Sequence, residues 1–213
     1  MSAAKFDDLR ITHLVQKRVA QATEILSRAF YDDPILSHYF GEPKLRREAY
    51  RIFFGTLIRM HLKFGHVYSA NSAGKLIGVA VWRPPNAIRN CEDRLSELRA
   101  RNRIRNIFPG TADELFRGFE SAEKLHPSIP HWYLCFVGVD TPYQAHGIGR
   151  RLLLPVLHLA DRTRTLCYLE TPFERTLPFY RNLGFRKATK SNPFRGAPSV
   201  WTMVRRPSNS QNG

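Results

Sequence analysis

The stretch Val137-Gly138-Val139-Asp140-Thr141-Pro142-Tyr143-Gln144-Ala145-His146-Gly147-Ile148-Gly149-Arg150-Arg151-Leu152 reads as an apolar strand end, a turn with two glycines and the start of a helix. The first amides of a helix have no intrahelical partner, and the macrodipole adds partial positive charge there. Gly147 and Gly149 let the backbone approach an anion closely, and Arg150 and Arg151 bring full charges beside it. Such a segment is a cradle for a pyrophosphate. The Walker pattern ends in Gly-Lys-Ser/Thr, which is absent, and the dinucleotide fingerprint needs a small third residue where Leu152 stands. Nucleoside triphosphates and dinucleotides are therefore disfavoured.

Outward from this segment, Trp132 to Val139 forms the strand and Gly147 to Arg162 the helix, with Pro155 inside it. Leu166 to Glu170 is the next strand, followed by a short helix ending at Gly184 and two strands near Phe185 to Thr189 and Ser199 to Val204. Upstream, Leu9 to Leu14 is a weak strand, and Gln16 to Phe30 is a helix broken by Asp32-Asp33-Pro34. Lys44 to Phe64 is a second helix, stopped by Gly65. His66 to Ala70 and Lys75 to Trp82 form a hairpin around Asn71-Ser72-Ala73-Gly74. Cys91 to Lys124 is helical and interrupted at Pro109-Gly110. The order is mixed α and β around a central strand–helix–strand unit, with no repeat and no internal linker. One domain over residues 1–206 is expected, with a flexible polar tail over 207–213.

Composition narrows the class. With 43% apolar and 24% charged residues, the 213-residue chain has the makings of a full core. No run approaches the roughly 20 apolar residues of a membrane helix. The segment from Met1 to Arg10 carries Asp7 and Asp8 and no signal-like apolar run, so a cytoplasmic protein without a membrane partner is the expectation. Cys91, Cys135 and Cys167 form no CxxC pair and no zinc-spaced cluster with histidine, so no metal is expected. Cys135 and Cys167 read as reduced core thiols, and no histidine or aspartate partner is legible for Cys135 as a nucleophile. The net charge of +15 favours polyanions. Arg94, Arg99, Arg101, Arg103 and Arg105 crowd one segment, but without interleaved aromatics it reads as a solvated helix face, and nucleic acid is not the expected partner.

Gln144-x-x-Gly147-x-Gly149 behind an apolar strand resembles the acetyl-CoA motif of the GNAT N-acetyltransferase superfamily. Leu169-Glu170-Thr171 and Leu177-Pro178-Phe179-Tyr180-Arg181-Asn182-Leu183-Gly184-Phe185 are similar to its next strand and helix. Trp132-Tyr133-Leu134 and the Leu-Pro-Phe-Tyr run look most like the puromycin N-acetyltransferase branch. The resemblance implies an α/β (α+β) fold. Its sheet would be central, mixed and mostly antiparallel, with six to seven strands flanked by helices and a splayed strand pair that binds acetyl-CoA.

It also implies roles. Strand residues Val137, Gly138 and Val139 would line the pantetheine arm, with backbone amides of Val137 or Val139 polarising the thioester carbonyl. Gln144, Ala145, His146 and Gly147 would form the phosphate loop, His146 through its backbone, with Ile148, Gly149 and Arg150 opening the helix. Thr176 stands where the family usually has asparagine; it can cap the short helix but lacks the amide that contacts acetyl-CoA. Tyr180 is the candidate general acid, since a phenol is protonated at neutral pH, and Glu170 the candidate base. The competing readings are a core aromatic beside Phe179 and a carboxylate paired with nearby arginine. His131 is an alternative base. The acceptor pocket is expected from the N-terminal helices and the loops Tyr31 to Tyr39 and Trp82 to Pro85. The expected reaction is acetyl transfer from acetyl-CoA to a small-molecule amine by a monomer or homodimer. The alternative is a binding protein that uses its basic surface for nucleic acid or an acidic partner.

Overall fold

The computed structural model describes residue 6 and residues 8–88 and 90–208, with backbone alone at 187 and 188. Parts of two sequence expectations, the signal-free N-terminus (1–5 and 7) and the end of the polar tail (209–213), lie outside the described residues. The elements run β1 (Arg10–His13), α1 (Val19–Ala29), α2 (Pro34–Tyr39), α3 (Pro43–Leu62), β2 (Val67–Ser72), β3 (Lys75–Arg83), α4 (Cys91–Ile107) and α5 (Ala112–Ala122). They continue with β4 (His131–Val139), α6 (Ile148–Arg162), β5 (Leu166–Thr171), α7 (Leu177–Arg181), β6 (Arg186–Ser191) and β7 (Val200–Arg205). One seven-stranded sheet takes the order β1-β2-β3-β4-β5-β7-β6. Every pairing is antiparallel except β4 with β5, which α6 connects. This is the expected mixed, mostly antiparallel sheet flanked by helices.

Each sheet face carries its own core. Leu26, Tyr50 and Phe54 of α1 and α3 pack with Leu115 of α5 on one face, against Val79 and Val81. Leu152, Val156 and Leu157 of α6 pack with Tyr180 on the other, against Ile77 and Ala80. The alternation along β3 thus serves both faces, as a central strand requires.

Two local details differ from the sequence reading. Asp32-Asp33-Pro34 ends the first helix but also begins another: the Asp33 carboxylate accepts from the amides of Ile35 and Leu36, capping α2 with Pro34 in its first turn. The hairpin turn is tighter than expected. Only Ala73 and Gly74 separate the strands, both with positive φ (47° and 74°), the twist that a two-residue hairpin loop needs.

The feature that positions the site is the short β4–β5 ladder. Only His131, Trp132 and Tyr133 pair with Leu166, Cys167 and Tyr168. Beyond them β4 stays with β3 as far as Val139, while β5 stays with β7 as far as Thr171. The two strands are anchored to different neighbours and part.

Candidate active site

The parting of β4 and β5 opens a cleft of about 570 Å³. Its register determines what faces the gap. The Asp140 amide donates to Ile77 across the β3 side, so the alternate residues Val139 and Val137 turn their amides and carbonyls toward the β5 side. The free carbonyl of Val139 accepts the Gln144 side-chain amide at 3.0 Å, which pins the loop to the strand end. Gln144 is therefore a loop staple, a role the motif alone did not reveal.

The loop then turns through two left-handed residues, Ala145 (φ 62°) and Gly147 (φ 74°), and Gly147 caps α6 without any side chain. A β-carbon at Gly147 would be strained there, and its absence leaves the first α6 amides open. Ile148, Gly149 and exposed Arg150 complete this end of the cleft. His146 departs from the group. Its Nδ1 lies 2.6 Å from the Gln144 carbonyl and its ring packs edge-on against Phe6, so the ring is held outside the cleft.

Gly138 lines the cleft, and its backbone identity has a packing cause. A β-carbon there would lie 2.9 Å from both the Ala29 Cβ and the Leu26 Cδ2 of α1. The bidentate pair of Arg28 with Asp140, at 2.8 and 2.9 Å, holds the same helix to the end of β4.

Across the gap stand Glu170, Thr171, Thr176 and Tyr180. The Thr176 hydroxyl does not cap α7; it donates to the Phe173 carbonyl (2.7 Å) and bonds the Thr171 hydroxyl (2.9 Å). Its only donor is committed to the turn, because the residue sits in a 3-10 turn with helical backbone angles. Tyr180 is buried between Phe179 and Phe185, and desolvation pushes its phenol well above the ordinary range. The group therefore stays protonated at ordinary pH and has a proton to donate.

Glu170 is nearly buried, with Oε1 3.4 Å from His126 Nε2. Burial and the neighbouring Glu170 charge push up the phenols of Tyr133 and Tyr168. Arg83 is not the partner of Glu170; it forms a bidentate pair with Glu123 at 2.8 and 2.9 Å. The competing reading of a carboxylate paired with arginine is not what is seen: Glu170 instead lies beside a histidine.

Some of the residues expected around an acceptor do reach the cleft. Phe30, Asp33, Ile35 and Leu36 line the cleft, joined by Phe119 of α5 and by Phe194 and Val200, which sequence reading missed. Trp82 to Pro85 do not contribute. Trp82 is fully buried in the opposite core, and Pro84 and Pro85 border a separate surface hollow with Ile129 and Pro130. Cys135 does have a histidine neighbour, His61 Nε2 at 3.5 Å. Burial pushes its thiol up to about 12, so it remains a thiol. Among the described residues no cluster suits a metal ion, and no helix is long and apolar enough to cross a membrane.

The comparisons agree with this geometry. A model of the acetyltransferase (GNAT) family matches residues 21–185. An uncharacterized N-acetyltransferase of Schizosaccharomyces pombe is 27% identical over 186 residues, covering 79% of this chain and 71% of that protein. A solved structure described as histone acetyltransferase HPA2 and related acetyltransferase, from Corynebacterium glutamicum, has a TM-score of 0.71 at 22% identity and covers 96% of this chain and 99% of that one. Arylalkylamine N-acetyltransferase 2 of Aedes aegypti has a TM-score of 0.64 at 16% identity, covering 95% and 100%. At these identities the structural likeness speaks for the fold. The family match carries more, because it spans the splayed strands, the glycine loop and the tyrosine helix together: the chain belongs to the acetyltransferase (GNAT) family of acyltransferases, which take their acetyl group from acetyl-CoA.

Proposed function

We propose that the protein acetylates the amine of a small, largely apolar molecule by direct attack of the amine on the thioester of acetyl-CoA. The observation that carries this reading is the gap between β4 and β5, which places Glu170 and Tyr180 in one cleft with the unpaired edge of β4. The donor fits this chain's residues. The outward backbone of Val137 and Val139 offers hydrogen bonds to an extended arm, and the open α6 amides with Arg150 offer charge to a pyrophosphate. Phe30, Ile35, Leu36, Phe119 and Phe194 offer an apolar wall to the acceptor.

The chemistry divides between the two walls. An amine enters as ammonium and must lose a proton before it can attack, which is work for Glu170. An amide of β4 polarises the carbonyl as charge develops on oxygen. The departing sulfur needs a proton, which the buried Tyr180 phenol donates and then recovers from the nitrogen. The net change is one acetyl group moved and one proton released.

The puromycin-branch resemblance rests on Trp132-Tyr133-Leu134 and the Leu177 to Tyr180 run, and puromycin is accordingly one acceptor to try. The binding-protein alternative is favoured by Arg94, Arg99 and Arg103, which stand exposed on α4 while Arg101 and Arg105 are drawn inward to Asp113. The deciding measurement is thiol release from acetyl-CoA across a panel of small amines that includes puromycin. Amine-dependent release supports the proposal. Salt-sensitive nucleic-acid binding with no release for any amine would reverse it.

A further inference from the structure

This inference rests on the reading that an amine is acetylated at Glu170. Each turnover then leaves one proton at a nearly buried carboxylate, and that proton needs a way out. Behind Glu170 lies a chain of three contacts. Glu170 Oε1 is 3.4 Å from His126 Nε2, an ion-pair distance at which this buried oxygen makes no hydrogen bond and so has room to take up a proton. His126 Nδ1 is 2.9 Å from His131 Nε2. His131 Nδ1 is 2.8 Å from the carbonyl of Ile129, an exposed residue. We propose that His126 and His131 form a proton path that carries the acceptor's proton from Glu170 to solvent.

Proton counting supports this. Both ends of the chain, the ionised carboxylate and the Ile129 carbonyl, can only accept. Three gaps therefore need three protons, and two neutral imidazoles hold two. One gap always sets acceptor against acceptor until an extra proton arrives. The proton lost by the ammonium completes the set when it enters between Glu170 and His126. His126 then carries both N–H groups and passes the Nδ1 proton to His131 Nε2. That transfer leaves His131 as the imidazolium and His126 Nδ1 as an acceptor.

Arg83 favours the vacated nitrogen of His126, while burial and the Arg83 charge keep the imidazolium on His131 short-lived. Arg83 Nη2 lies 3.3 Å from His126 Nδ1 and can only donate, so it supports the vacated nitrogen. Its own charge is balanced by Glu123, in the 3-10 turn after α5. The other titratable groups facing the path are the phenols of Tyr133 on β4 and Tyr168 on β5, whose rings lie 4.4 and 4.5 Å from that of His126. Both remain protonated because burial raises them. Burial lowers His131, which eases release of the proton to water.

Two measurements on the full chain test the path. Histidine tautomers and titration, read by long-range ¹H–¹⁵N spectra without substrate, need no knowledge of the acceptor. His126 and His131 should take up one proton with a shared midpoint. Glu170→Gln, whose amide supplies the missing proton, should move that midpoint down by about one unit or more. Independent titration, or an unmoved midpoint, overturns the path. The second measurement is turnover of His131→Ala with acetyl-CoA and the fastest amine of the panel, at low buffer. Turnover should fall about tenfold and recover on adding 1,2-dimethylimidazole, an external proton carrier that a purely structural loss would ignore. Wild-type turnover, or a loss the carrier does not restore, overturns the path. If the unaltered protein releases no thiol with any amine, the proposed function fails, and the titration still decides the proton path by itself.

Discussion

A β-carbon on Gly138 would stand 2.9 Å from the β-carbon of Ala29, closer than side-chain carbons come in folded proteins. Helix α1 therefore packs directly on the backbone of β4 where that strand has left β5 behind. Gly138→Ala should cost about 1–3 kcal/mol by overpacking, because the other obstruction, the Leu26 side chain, is itself fully buried. A lowered thermal midpoint together with weaker acetyl-CoA binding is the expected pair of effects. Unchanged values of both would mean that α1 gives way freely.

Tyr180→Phe keeps the buried ring and removes the proton that the proposed mechanism gives to the leaving sulfur. Turnover should fall by an order of magnitude or more, with little change in acetyl-CoA affinity by calorimetry. Turnover like that of the unaltered protein would remove Tyr180 from the mechanism.

Asp33 gives a pH prediction. Burial pushes its carboxyl up to about 6, against the pull of the Leu36 and Ile35 amides. The folded state therefore holds the proton more tightly than the unfolded chain, where an aspartate titrates near ~3.9. Between those values stability falls as pH rises, and the cost is complete above pH 6. Asp33→Asn keeps an oxygen for the cap and removes the charge. It should raise stability at pH 7 on the order of 2 kcal/mol and flatten the slope between pH 4 and 6, read from denaturant midpoints.

Asp161 shows the opposite sign. Burial alone would raise its carboxyl, but the bidentate Arg205 guanidinium, at 2.8 and 2.7 Å, and the Ser208 amide more than reverse this. The lowered value means stability that is present at neutral pH and lost as pH falls through the folded pKa. Both side chains are largely buried, so Asp161→Asn strands the Arg205 charge and should cost about 3 kcal/mol at pH 7, with a smaller cost near pH 3. An equal cost at both pH values would contradict the pairing.

The glycine loop was legible because its logic is local. A strand end, two glycines and a helix start fit within sixteen residues, and each constraint acts on its own neighbours. That Glu170 and Tyr180 stand on the strand and short helix bordering the cleft was legible for the same reason, the one near the end of β5 and the other on a helix closed by Gly184. The misplacement of Trp82 to Pro85 came from alternation: along β3, Val81 faces the helices of α1 and α3 while Trp82 faces the opposite core. Sequence order does not say which face a fully apolar strand turns to the site.

The sequence by itself determined the family, the glycine loop at the head of α6 and the order of elements, because these depend on short-range spacing and backbone freedom. Tertiary structure alone decided what surrounds Glu170. His126 comes from a turn, Arg83 from β3, His131 and Tyr133 from β4 and Tyr168 from β5, and no spacing along the chain announces their meeting. It also decided that the His146 ring bonds its own loop outside the cleft, that Thr176 bonds its own turn, and that Gly138 is a glycine for the sake of a helix more than a hundred residues earlier. Contacts of that kind arise from packing and the exclusion of water, which act between residues that only the fold brings together.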